Sequence, residues 1–188
     1  MNQGHLEFCA SPAWRQMVEE TILPEALRGV DLGDDVVEVG PGPGLTTDVL
    51  RTRTARLTAV EFDPELASSL AARLAGTNVE VIRGDATALD VPDERFTGAA
   101  CFHMLHHIPT SAAQDRVFAE LARVLKPGGM LVAADGIEDE GSRQFHADDI
   151  YNPIDPKTID GRLTDAGFTT VEVRVYNLGW ICTAWRVA

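Results

Sequence analysis

The sequence predicts an α/β protein built on a doubly wound parallel sheet. Three observations carry this reading. Short apolar runs alternate with amphipathic stretches along most of the chain. One run, Gly98-Ala99-Ala100-Cys101-Phe102, has no polar position, as expected of a strand covered on both faces. The first run leads straight into a loop with glycine at every second position, Gly40, Gly42 and Gly44.

The elements follow in order. Residues 12–29 read as one helix or two, interrupted at Pro24, with apolar points at Trp14, Val18, Leu23 and Leu27. Asp34 to Gly40 is a short β-rich run ending in glycine, and residues 44–53 are helical in pattern. Leu57 to Glu61 is the second strand. Asp63-Pro64 starts a helix that runs to about Leu74, with an N-cap acceptor followed by proline at the first helical position. Val79 to Ile82 and Gly98 to Phe102 are the third and fourth strands.

Ser111 opens the clearest helix. Ser111 and Gln114 form a capping-box pair, and Val117, Phe118, Leu121, Val124 and Leu125 share one face. Lys126-Pro127-Gly128-Gly129 ends it, and Met130 to Ala134 is the fifth strand. Residues 136–155 are polar and read as a loop. Asp155-Pro156 starts a helix that stops near Gly167. Thr170 to Val175 and Trp180 to Val187 close the chain as a hairpin across Asn177-Leu178-Gly179, which introduces an antiparallel strand. In open sheets of this kind ligands bind beyond the carboxyl ends of the strands. The site is therefore expected just after Val39, Val60, Ile82 and Phe102.

Composition narrows the function. The chain has 188 residues, 45% apolar and 24% charged, which suits one folded domain. No apolar run reaches the ~20 residues of a membrane helix. The opening MNQGHLEFCA lacks a basic segment followed by an apolar one, so no secretory signal is expected and the cytoplasm is the expected compartment. Sixteen basic residues against 29 acidic ones give a net charge of −13, which repels phosphate backbones and anionic lipid. Neither nucleic acid nor membrane is expected as a partner. The cysteines, Cys9, Cys101 and Cys182, form no CxxC pair, so neither a zinc knuckle nor a disulfide framework is indicated.

The glycine loop lies between a strand and a helix, where the backbone must turn sharply and a ligand can approach it. Its G-x-G-x-G spacing differs from the G-x-G-x-x-G of dinucleotide folds. Glu61, at the end of the second strand, can accept hydrogen bonds from both hydroxyls of a ribose. Asp85, in Gly84-Asp85-Ala86 after the third strand, can accept from an adenine amine.

With these motifs the sequence resembles the class I S-adenosylmethionine (SAM)-dependent methyltransferases, and within them the group that includes ubiquinone and menaquinone enzymes. The motifs are Val37 to Gly44, Glu61, Gly84-Asp85-Ala86, Leu105-His106-His107-Ile108 and Leu125 to Leu131. The resemblance implies a Rossmann-like sheet of seven strands in the order 3-2-1-4-5-7-6, with strand 7 antiparallel. It implies SAM as cofactor and S-adenosylhomocysteine as product. Gly40 and Gly42 would pass under the methionine part, with Glu38 beneath its amino acid end. Glu61 would hold the ribose, Phe62 would flank the adenine, and Asp85 and Ala86 would meet its edge. Phe102 and His103 would lie near the reactive methyl.

On this reading the chain is a methyltransferase that passes a methyl group to a small-molecule acceptor by in-line displacement. The alternative is a SAM-binding regulator without turnover. Residues 1–33, with His5, Phe8 and Trp14, would form an N-terminal helical lid on a domain spanning 34–188. So short a cap implies an open acceptor site, a small acceptor, or a pocket completed by a second copy as a homodimer. His103 and His107 are the candidate bases for an acceptor that must lose a proton. His103, His106 and His107 are spaced i, i+3, i+4 across a strand-to-helix bend with no matching cysteine or acid after them, so no metal is expected.

Overall fold

The computed structural model describes residues 3–188, without the side chains of Gln3, His5 and Leu6, so the expectation for the His5 side chain lies outside the described residues. Seven strands form one sheet in the order β3-β2-β1-β4-β5-β7-β6. They are β1 (Asp35–Val39), β2 (Arg56–Glu61), β3 (Val79–Arg83), β4 (Phe96–Phe102), β5 (Leu125–Asp135), β6 (Phe168–Tyr176) and β7 (Gly179–Arg186). The first five pair in parallel, while β7 runs antiparallel to both β5 and β6. Both the α/β class and the strand order are as expected.

The helices are α1 (Gln3–Cys9), α2 (Pro12–Met17), α3 (Leu23–Ala26), α4 (Leu45–Leu50), α5 (Pro64–Arg73), α6 (Ser111–Val124), α7 (Glu140–Phe145) and α8 (Ile159–Asp165). Strand residues that read as unbroken apolar runs divide by parity between two cores. Val37, Val39, Ala99, Cys101, Leu131 and Ala133 pack with α6 and α8 through Val117, Phe118, Leu121 and Leu163. Val36, Ala100, Phe102, Val132 and Ala134 pack with Val18, Ile22, Leu23 and Ala26, and with Leu45 and Leu50 of α4. Residues 18–27 thus form part of a core layer, and Phe8 and Trp14 lie further out at the loops.

Three local expectations are corrected. The break in the first helical stretch is a π-helical turn at Val18–Ile22, and Pro24 sits in α3 directly after that turn. Thr110, not Ser111, caps α6, accepting from the Ala113 N–H at 3.1 Å. Gln114 is accordingly no capping partner: it is buried and donates to the Leu105 and Asn152 carbonyls at 3.0 and 2.7 Å. The segment after β5 also contains α7, capped by Asp139. Among the described residues no helix is long and apolar enough to cross a membrane.

Candidate active site

The carboxyl ends of β1 to β5 and the loops after them build the site. Gly40 follows β1 with φ +66°, and its N–H donates to the Val60 carbonyl at 2.9 Å. A Cβ there would stand 2.8 Å from Cβ of Met104. Gly42 has φ +55°, and a Cβ on it would meet nothing within 4 Å, so the loop presents bare backbone at this point. The Gly42 N–H donates to Glu61 Oε2 at 2.9 Å, and the Asp63 N–H donates to Oε1 at 2.9 Å. Glu61 is buried at the end of β2. Each carboxylate oxygen keeps a second lone pair, enough for two ribose hydroxyls.

Glu38 lies on the same face as α4 and is 1% exposed. Its carboxylate accepts from the hydroxyls of Thr46 and of Thr47, the latter at 2.6 Å. Burial pushes its pKa up to about 7 against the pull of both hydroxyls, and the nearby Asp48 and Glu61 charges add to the rise. Arg73 of α5 closes the loop from outside. Its Nη1 donates to both Asp48 carboxylate oxygens at 2.8 Å, and its Nη2 donates to the Pro43 and Gly44 carbonyls at 3.1 and 3.3 Å. Nothing in the sequence pattern singled out Arg73, because its partners lie 25 to 30 residues away.

Phe62, 71% exposed, lines a cleft of about 280 Å³ with Arg83, Gly84 and Asp85. Asp85 is exposed and accepts from the N–H and hydroxyl of Thr87, each at 2.8 Å. Ala86, 7% exposed, packs into the core beside it. A second cleft of about 270 Å³, lined by Leu27, Val30, Leu50 and Arg53, opens at the amino ends of the strands, away from these residues.

Phe102, 6% exposed, ends β4. His103 follows with φ +51°, and its N–H continues the ladder to the Ala134 carbonyl at 2.8 Å. Its ring meets Trp14 edge-on at 5.2 Å, and Phe8 bridges Trp14 and Phe145 at 5.4 and 5.2 Å. Burial lowers the His103 pKa against the opposing charge of Asp135, which favours the neutral ring.

Asp135 ends β5, 1% exposed. It accepts from the His106 N–H at 3.0 Å, the His106 ring at 2.5 Å and the Gly136 N–H at 2.7 Å. Burial alone would raise its pKa, but the His106 charge and hydrogen bond outweigh it and bring the carboxyl to about 2. The same pair holds His106 above 6.5 despite its burial. Sequence reasoning passed over Asp135 and named only the apolar part of its strand. The available signal was the one that found Glu61, an acid closing an apolar run.

The fold joins Gly42 to Glu61 by a hydrogen bond, ties Gly40 to the Val60 carbonyl beside it, and holds Glu38 on the hydroxyls of Thr46 and Thr47. Phe62 and Asp85 lie beside the cleft, and Phe102 and His103 at the neighbouring strand end. His107 belongs to a different cluster. Its Nδ1 faces the Ile150 carbonyl at 3.3 Å and its ring lies 4.1 Å from that of His106.

A family model described as a methyltransferase domain matches residues 37–133, just over half of the chain. The chain belongs to this methyltransferase-domain family. The match runs from the glycine loop to the middle of β5 and so takes in most of the site. A ribosomal RNA small subunit methyltransferase A from Pelotomaculum thermopropionicum is 41% identical over 85 residues, 44% of this chain and 28% of the relative. The chain spans less than a third of the length of the first curated relatives it matches. Among solved structures, a chain from the complex of the Haloferax volcanii Trm112 methyltransferase activator superposes with a TM-score of 0.79 at 17% identity, over 100% of this chain and 99% of that one. A SAM-dependent methyltransferase from Archaeoglobus fulgidus superposes with a TM-score of 0.80 at 13% identity, over 98% and 100%. Those identities speak for the fold.

The relatives correct one expectation of the sequence. A small-molecule acceptor and a second copy as partners, with nucleic acid left out, do not agree with relatives named for ribosomal RNA or with a neighbour solved beside Trm112. The exclusion rested on net charge. That is a sum over the whole surface, whereas a partner is recognised by a local patch.

Proposed function

We propose that this chain binds SAM and acts as a methyltransferase. The observation that carries the reading is Glu61, a buried carboxylate tied to the glycine loop through Gly42 and adjoining the Phe62–Asp85 cleft. The donor set suits the cofactor: a twice-anchored acid for the ribose, bare loop backbone for the methionine part and an exposed ring for the adenine. Glu38 lies beneath the amino acid end, where a carboxylate favours an ammonium. When bound, SAM supplies a methyl group on a sulfonium, already activated and with a neutral leaving group.

The protein's task is then mainly to position the reactants. Phe102 walls the strand end, and the Trp14, Phe8 and Phe145 rings line the approach to His103. His103 holds a neutral imidazole there, able to take a proton from an acceptor atom that carries one. His107, the other candidate base, faces the Ile150 carbonyl through Nδ1 and packs on the His106 ring.

Calorimetry with SAM, S-adenosylhomocysteine and NAD tests the reading. Micromolar binding of the first two and none of NAD is expected, and the absence of SAM binding would overturn it. Labelled methyl transfer is then followed with ribosomal RNA as the first acceptor, a choice supported by the names of the curated relatives. Replacing His103 by Gln should lower kcat by ~10²–10⁴-fold for an acceptor that must be deprotonated, with SAM affinity kept.

A further inference from the structure

Beyond the SAM-binding strand ends lies a second constellation. His106 and His107 sit on the 3-10 turn after β4, and His146 follows α7 in the segment after β5. One ring nitrogen of each lies within 4.8 Å of the corresponding nitrogens of the other two. The rings pack at centroid distances of 4.1, 5.0 and 5.5 Å. Tyr151 stacks on His146 at 4.2 Å with the planes 15° apart.

The orientation of the rings is the telling feature. His106 Nδ1 faces the Asp135 carboxylate at 2.5 Å, His107 Nδ1 faces the Ile150 carbonyl at 3.3 Å, and His146 Nδ1 faces the Ser142 carbonyl at 2.6 Å. All three partners accept hydrogen bonds, so each Nδ1 carries the proton and donates it. In the neutral ring that choice leaves the lone pair on Nε2. A carboxylate or carbonyl behind each imidazole is the arrangement that orients metal-binding histidines and raises their basicity. His106 and His146 are each 8% exposed, which shields the cluster from bulk water.

We propose that His106, His107 and His146 bind a divalent transition-metal ion of the zinc class, which clamps the α7 segment onto the turn after β4. Three imidazoles suit zinc, cobalt and copper in preference to magnesium or calcium, which take oxygen ligands. The surrounding structure already joins the same two segments. The Asn152 N–H donates to the His106 carbonyl at 2.7 Å, its side-chain amide donates to the Ile108 carbonyl at 3.1 Å, and Gln114 bridges the Leu105 and Asn152 carbonyls. The clamp also couples to the site through Asp135, whose Oδ1 is 3.9 Å from His103 Nδ1. The inference does not depend on the SAM reading.

The test uses the full chain, stripped with chelator and titrated with Co²⁺. One equivalent should bind and develop visible d–d absorption, which Zn²⁺ then bleaches by displacement. His107→Ala and His146→Ala should each remove the absorption with the far-ultraviolet circular dichroism retained. Asp135→Asn, which keeps the side chain's shape and removes the charge behind the His106 ring, should weaken the metal by ~10–100-fold. Zn²⁺ should also slow amide exchange across residues 140–152 in the wild-type chain, a readout that needs no variant to fold. Folded wild-type protein that takes up no stoichiometric Co²⁺ would overturn the proposal, as would undiminished uptake by the folded His107→Ala/His146→Ala double variant.

Discussion

The Glu61 carboxylate accepts the backbone N–H of Gly42 at 2.9 Å, so the acid that ends β2 also holds the loop that follows β1. One side chain therefore serves both ligand and loop, and its removal should be felt in both.

Glu61→Ala strands the N–H groups of Gly42 and Asp63. Hydrogen bonds to a charged acceptor contribute ~1.5–3 kcal/mol each, so losing both ribose contacts should lower SAM affinity by roughly 10²–10⁴-fold, and the melting temperature should drop as well. Glu61→Gln, which keeps one carbonyl oxygen, should fall between. Calorimetry alongside thermal melts reads both effects, and an unchanged Kd in folded Glu61→Ala would remove the ribose assignment.

Two glycines of one loop should respond differently to alanine. Gly40→Ala combines φ +66° with a Cβ 2.8 Å from Met104 Cβ and should cost ~1–3 kcal/mol of stability. Gly42→Ala has φ +55° and no neighbour within 4 Å, so only the left-handed backbone costs it, ~1–2 kcal/mol. Its methyl instead enters the face offered to the cofactor. Urea melts should therefore single out Gly40→Ala, and the ratio of SAM affinity lost to stability lost should be larger for Gly42→Ala. Equal ratios would deny Gly42 its cofactor-facing role.

Glu38 makes stability depend on pH in a stated direction. Its pKa rises from 4.5 to about 7 on folding, so the folded chain holds this proton more tightly than the unfolded one. The resulting stability is fully present below pH 4.5 and is lost progressively as pH rises through 7. The full swing is on the order of 3 kcal/mol. Urea denaturation of wild type and Glu38→Gln between pH 5 and 8 checks this: the fall should be shallower in the variant. SAM affinity should move the opposite way, strengthening as Glu38 ionises, and a flat affinity profile would separate Glu38 from the ammonium.

Phe118 tests the helix–sheet core alone. It is 1% exposed on α6, with the Arg162 guanidinium 5.3 Å from its ring centroid. Phe118→Ala should cost ~3–5 kcal/mol through lost burial and the cavity left behind. A denaturation midpoint close to wild type would mean that α6 repacks far more readily than this core suggests.

Much of this could be read from local pattern. Short apolar runs between amphipathic stretches determined the α/β class, because a strand covered on both faces reads as a nearly continuous apolar run. The Asp63-Pro64 helix start and the terminal hairpin were equally legible, since capping and tight turns are decided by a few adjacent residues. Glycine spacing and an acid at a strand end pointed to Gly40, Gly42 and Glu61, and the structure joins the last two through one hydrogen bond. What only the tertiary structure decided was which distant groups meet. Arg73 reaches back to the Pro43 carbonyl, Asp135 takes both protons offered by His106, and His146 joins His106 and His107 from about forty residues away. Local periodicity carries no record of such pairings, because they are set by the order in which strands stack and by where their carboxyl ends converge.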